Sequence, residues 1–136
     1  MFIEFGVGNY IESNTRFLLM DDNWKESIID ENKESIDYVR NDEIYWKHNL
    51  IAVSHFIIRD NKNKIITENG FGGEAGIFSV DIDGNDYWIW ESINSVKPDI
   101  VIVEYNSVFG KEHSITITIP YNPGFYRTKA HYSNLC

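Results

Sequence analysis

Residues 2–9, Phe2-Ile3-Glu4-Phe5-Gly6-Val7-Gly8-Asn9, decide how the chain is read. Three of the first four are large and apolar, which suits a buried strand. Two glycines then break the run. Glycine enters left-handed backbone without steric cost, so a tight turn is expected there. A helix should follow from about Ser13 or Asn14, both good N-caps, and carry Phe17, Leu18 and Met20 into the core. A strand, a glycine turn and a helix in that order open a parallel α/β layer.

The alternation continues outward from this start. Ser27-Ile28-Ile29 reads as a short second strand ending at Asp30. Residues 31–41 read as a helix with Ile36 and Val39 on one face. Tyr45 and Trp46 lead to a third strand over 50–57. One or two helical turns are expected around Ile65 and Ile66, and Gly70, Gly72, Gly73 and Gly76 form a flexible loop. A fourth strand over 77–82 runs into Asp83-Gly84-Asn85-Asp86. A helix carrying Trp88, Ile89, Ser92, Ile93 and Val96 follows and stops at Pro98, with Trp88 assigned to the core. Ile100 to Glu104 forms the fifth strand. Short apolar runs without alternation indicate strands covered on both faces, hence a parallel sheet with right-handed crossovers. The expected fold is α/β, doubly wound and mostly parallel, with about five or six strands. Residues 111–136 break the rhythm with one alternating strand, His113 to Ile119, followed by Pro120 and Pro123. One domain is expected over 1–136, a cofactor-binding core over 1–110 and an irregular tail over 111–136.

Composition narrows the ligand. The 136 residues are 43% apolar and 15% aromatic, enough for a real core, and carry 12 basic against 21 acidic side chains for a net charge of −9. Nucleic acid is excluded as a partner on this balance, because phosphates are held by clustered Lys and Arg. The single cysteine, Cys136, allows no internal disulfide and no Cys-based zinc site, which fits a reducing cytoplasm. His48, His55, His113 and His131 have no ligand-type spacing. No apolar run approaches the ~18 residues of a membrane span.

Four groups of polar residues fall where strands end, the place where open α/β sheets bind ligands. Gly6 and Gly8 let the backbone approach a ligand, although a plain strand-to-helix turn would read the same way. A dinucleotide fingerprint wants a third small residue where Ile11 stands. Glu4, inside the strand, would repel a pyrophosphate. It suits a ligand with an ammonium group and a sulfonium, the description of S-adenosylmethionine. Asp30 stands 22 positions beyond Gly8. That spacing fits a carboxylate bonding both ribose hydroxyls, or one capping the next helix. Ser79-Val80-Asp81-Ile82-Asp83-Gly84-Asn85-Asp86 gathers three carboxylates and an amide, more than a helix cap requires. These groups can orient a hydroxyl, serve as a general base or hold a divalent metal. Glu104-Tyr105-Asn106 ends the fifth strand at the same rim.

Together these residues resemble a known family. Glu4-Phe-Gly-Val-Gly, Asn14-Thr15 and Ile29-Asp30 resemble the cofactor half of class I S-adenosylmethionine-dependent methyltransferases, whose fold is Rossmann-like. The run FSVDIDGNDYWIWESI with PDIVIVEYN resembles FkbM-type methyltransferases, many of them bacterial proteins associated with modification of sugars and surface polysaccharides. The resemblance covers roughly residues 2–125. It implies methyl transfer to an oxygen of a small hydroxyl-bearing substrate. Glu4, Gly6, Gly8, Asn9, Asn14, Thr15, Asp30 and Asp81 would surround the cofactor, and Asp83, Asp86 or Glu104, in no fixed order, would supply the base. Metal-dependent catechol-type relatives place an Asp after strand four and an Asp-Asn pair after strand five. Asp81 and Asn106 match, but Tyr105 stands in place of the second Asp, so no metal site is assigned. The class I sheet normally gains two more strands and the family continues past IPYNPGFYR. The fold is therefore expected to be incomplete, with dimerisation across the open edge or loss of activity as consequences. A silent ligand-binding domain is the rival reading. An NAD-dependent oxidoreductase is disfavoured by Ile11 and Glu4.

Overall fold

A computed structural model describes residues 1–82 and 84–104, and the backbone of 115–117 and 132–134. The chain runs β1 (Phe2–Phe5), α1 (Arg16–Asp22), β2 (Glu26–Asp30), α2 (Lys33–Asn41), α3 (Glu43–Lys47), β3 (Leu50–Ser54), α4 (Lys62–Glu68), β4 (Gly73–Val80), α5 (Asp86–Glu91) and β5 (Val96–Val103). These five strands form one sheet in the order β3-β2-β1-β4-β5. Every neighbouring pair is parallel. This is a doubly wound, Rossmann-like sheet. Its order reverses between β1 and β4, which opens a crevice at their carboxyl ends.

Side-chain alternation sends successive residues of each central strand to opposite faces. Ile3 and Phe5 of β1, Ile29 of β2 and Phe78 and Val80 of β4 pack with Ile65 and Ile66 of α4 and Ile89 of α5. Phe2 of β1 and Ile28 of β2 face the other way, against Leu19 of α1, Ile36 and Val39 of α2 and Ile44 of α3. Glu4 and Glu26 share that second face by parity, and both are buried. Asn32 caps α2 by accepting from the Glu34 and Ser35 N–H groups, and Asp42 caps α3. Each satisfies donors that a helix start otherwise leaves open.

Several elements differ from the sequence expectation. Phe17 and Met20 are 58% and 51% exposed, and Leu19 is the buried residue of α1. Residues 17–20 are all apolar and cover every face of one helical turn, so their pattern carries no phase. Gly73 and Gly76 lie inside β4 rather than in a loop, and β3 stops at Ser54. Helix α5 ends at Glu91, and Val96 and Pro98 belong to β5. β5 lies at one end of this sheet, where a missing N–H is tolerated. Trp88 is only partly buried. From the tail, β6 (Ile115–Ile117) pairs antiparallel with β7 (Tyr132–Asn134). The remainder of the strand expected over 113–119 lies outside the described residues. No helix among the described residues is long and apolar enough to cross a membrane.

Candidate functional site

The sheet ladder runs one residue beyond several strand ends and so fixes the rim. Gly6 N–H donates to the Ile29 carbonyl at 3.0 Å, Asp81 N–H to Phe5 at 3.0 Å and Glu104 N–H to Val80 at 3.3 Å. The glycine turn, Asp30, Asp81 and Glu104 thus share the carboxyl edge of the sheet.

The two turn glycines have different reasons to be glycine. Gly6 has φ +78°, and a Cβ placed on it would lie 1.6 Å from the Asp81 carbonyl oxygen. It is needed so that the loop after β1 can cross the loop after β4. Gly8 has φ +53° and nothing within 4 Å of an added Cβ. Only its backbone conformation favours glycine, and the space beside it is open. Gly8 N–H donates to Asp30 Oδ2 at 2.8 Å, and Asn32 N–H donates to Asp30 Oδ1 at 2.7 Å. Asp30, 8% exposed, therefore ties the glycine turn to the start of α2. Asn9 Oδ1 accepts from Ile11 N–H at 3.1 Å and shapes the exposed side of the turn.

Glu4 is 1% exposed and is consumed by the segment leading into α1. Its Oε1 accepts from Asn14 N–H at 3.0 Å. Its Oε2 accepts from Ser13 Oγ at 2.5 Å and from the Thr15 hydroxyl. Ser13 Oγ in turn accepts from the N–H groups of Thr15 and Arg16, each at 3.1 Å. Of these donors Arg16 N–H opens α1, and Asn14 and Thr15 N–H belong to the segment just before it. Asn14 Nδ2 reaches Ser79 Oγ at 3.3 Å and so pins this segment to β4. Tyr10 is buried with left-handed φ (+66°), a strained setting for a bulky residue. The Arg16 guanidinium sits 5.5 Å from its ring centroid and bonds its carbonyl at 3.2 Å.

Behind Glu4 lies a second carboxylate that the sequence did not single out. Glu26, at the start of β2, is fully buried. It receives the Tyr10 hydroxyl and lies 3.0 Å from Thr15 Oγ1. Burial pushes its carboxyl up to about 8, with the Tyr10 and Thr15 bonds acting the other way. Burial likewise raises the Tyr10 hydroxyl, helped by the Glu26 charge. The one available signal was a charged residue directly abutting the apolar run Ser27-Ile28-Ile29.

At the far side of the crevice, Asp81, Asp86 and Glu104 each bring one carboxylate oxygen within 4.8 Å of the others. Asp86, 6% exposed, accepts from Ile82 N–H at 2.7 Å and from Gly84 N–H at 2.9 Å and so shapes the loop after β4. Asp81 and Glu104 are exposed. Asp83, Tyr105 and Asn106 lie outside the described residues.

The fold defines a class: a Rossmann-like α/β domain, consistent with the broad architecture of the methyltransferase superfamily. No protein-family model, no curated protein and no solved structure matches the chain.

Proposed function

We propose that the chain is an S-adenosylmethionine-dependent methyltransferase acting on a hydroxyl of a small substrate such as a sugar. The carrying observation is the start of α1. In dinucleotide-binding sheets that helix start receives the pyrophosphate on its free N–H groups. Here Asn14, Thr15 and Arg16 already donate to Glu4 and Ser13 inside the chain. The donors of this segment are answered within the chain, Asn14 N–H by the buried Glu4 carboxylate and Thr15 and Arg16 N–H by Ser13 Oγ. A nucleoside ligand without phosphate fits such a loop, and NAD does not.

The residues present suit that ligand. The open space beside Gly8 supports that ligand, and each Asp30 oxygen, which accepts one backbone N–H, keeps a second lone pair for a ribose hydroxyl. When bound, S-adenosylmethionine supplies a methyl group on a positively charged sulfur. The protein holds the acceptor hydroxyl in line and takes its proton. Of the candidate bases, Glu104 is exposed at the rim, and Asp86 is 6% exposed. Glu104 is therefore the assigned base, with Asp81 beside it and Asp83 as a further candidate. The finer assignment, an FkbM-type O-methyltransferase of polysaccharide precursors, draws on DIDGND and VEYN.

A second reading, a domain that binds its ligand without methyl transfer, draws on the structural role of Asp86. Incubation with methyl-labelled S-adenosylmethionine and a panel of sugar acceptors separates the two. The enzyme reading predicts label in a sugar and its loss in Glu104→Gln. Saturable binding with no label in any acceptor favours the second reading.

A further inference from the structure

Hydrogen bonds must balance protons as well as distances, and one cluster here lacks a proton. Four hydroxyl–carboxylate contacts fasten residues 10–15 to β1 and β2: Ser13 with Glu4, Thr15 with Glu4, Thr15 with Glu26, and Tyr10 with Glu26. Three hydroxyls bring three protons. Ser13 Oγ already accepts two backbone N–H groups, so its own proton goes to Glu4. The Tyr10 proton goes to Glu26. Thr15 has one proton for two carboxylates. Whichever it serves, lone pairs would face each other in the remaining contact unless a carboxyl group carries a fourth proton.

Cations do not relieve this. Among the described residues neither Glu4 nor Glu26 forms an ion pair. The groups bearing on Glu26 are Glu4 from β1, Tyr10 and Thr15 from the loop and Arg16 from α1. The Arg16 guanidinium is engaged with the Tyr10 ring and carbonyl. Two adjacent buried charges are costly, and the two sites differ in donors. Glu4 receives Ser13, Thr15 and the Asn14 N–H, whereas Glu26 has Tyr10 and its contact with Thr15. The charge belongs where the donors converge, and the proton belongs on Glu26.

We propose that Glu26 is a neutral, proton-donating carboxyl group in the folded protein, and that this proton fastens the Gly8-bearing segment 6–15 to the sheet. The donor order becomes Glu26 to Thr15 to Glu4, with Tyr10 donating to the second oxygen of Glu26. The upward push on the Glu26 carboxyl, to about 8, agrees with that order. The folded value lies above the ordinary one of 4.5. The proton's contribution is therefore complete below about 4.5, is lost as pH rises through about 8, and changes no further beyond. Removing it leaves two carboxylates on one hydroxyl and loosens the segment.

The test is a pH titration of the full chain by NMR, with glutamate side-chain carboxyl carbons labelled. One carbon, assigned through bonds to Glu26, is expected to titrate near 8. Backbone amides of Gly8 and Asn14 should shift with the same midpoint. In Glu26→Gln, which keeps a neutral donor, the carboxyl signal disappears and those amides lose the alkaline step. The proposal is overturned if Glu26 titrates in the ordinary carboxylate range, or if the loop amides do not follow it. The wild-type titration decides the matter even where Glu26→Gln does not fold. The link to ligand binding rests on the cofactor reading above. On that reading S-adenosylhomocysteine affinity is level at lower pH, falls as pH rises through about 8 in the wild type and stays level in Glu26→Gln. A carboxyl titration near 8 without any S-adenosylhomocysteine binding supports the proton count and removes the cofactor reading.

Discussion

The face of β1 and β2 beneath the loop after β1, and the rim after β4 and β5, both carry carboxylates, and they differ in how far these are exposed. Glu4 and Glu26 are buried and bonded within their own chain. Asp81 and Glu104 are exposed. A buried carboxylate whose oxygens are engaged holds shape. An exposed one at a crevice mouth remains accessible to substrate. Asp86 stands between the two regimes: its sequence neighbours belong to the rim, but its bonds to Ile82 and Gly84 N–H belong to the scaffold.

Substitutions that sharpen this contrast rank by how much scaffold they remove. Gly6→Ala drives a Cβ to 1.6 Å from the Asp81 carbonyl in left-handed backbone. The expected loss is more than about 4 kcal/mol, read by urea denaturation. Glu4→Ala orphans the Ser13 hydroxyl and the Asn14 N–H and leaves Thr15 only its contact with Glu26, for a loss of roughly 3 kcal/mol by the same measurement. Asp86→Ala leaves two loop N–H groups unanswered, and about 2 kcal/mol is expected. Gly8→Ala meets nothing and pays only for its φ, about 1 kcal/mol. Glu104→Gln, at an exposed position, changes stability less than Glu4→Ala does. It lowers methyl transfer by about 10²-fold or more if Glu104 is the base. A Glu104→Gln variant as destabilised as Glu4→Ala would erase the distinction between the two regions.

How far the sequence could be read depended on whether a feature was local. The five apolar runs implied the parallel sheet, and the spacing of Ile36 and Val39 gave the buried face of α2. Residues 17–20 gave no phase for α1, because consecutive apolar residues satisfy any face. The helix pattern over 88–96 overran into β5, because periodicity does not register pairing such as Gly73 with Val96. The rim positions of Asp30, Asp81 and Glu104 were legible from strand ends alone. Two things were not. Gly6 was read as a tight turn or a close approach to a ligand, and the Asp81 carbonyl that presses against it had no signal in the sequence. The Tyr10–Glu26–Thr15–Glu4 cluster joins residues 16 and 11 positions apart across two strands, and no local pattern encodes that meeting.

On the proposed function the loop after β1 accepts a nucleoside ligand while the N–H groups of Asn14, Thr15 and Arg16 are already engaged within the chain. Calorimetric titration of the full chain with S-adenosylhomocysteine, and in parallel with NAD, tests it most directly. The account predicts saturable one-to-one binding of S-adenosylhomocysteine that weakens at least about tenfold in Asp30→Ala, and no binding of NAD. Binding of NAD in preference to S-adenosylhomocysteine, or no binding of either to a folded chain, would contradict it.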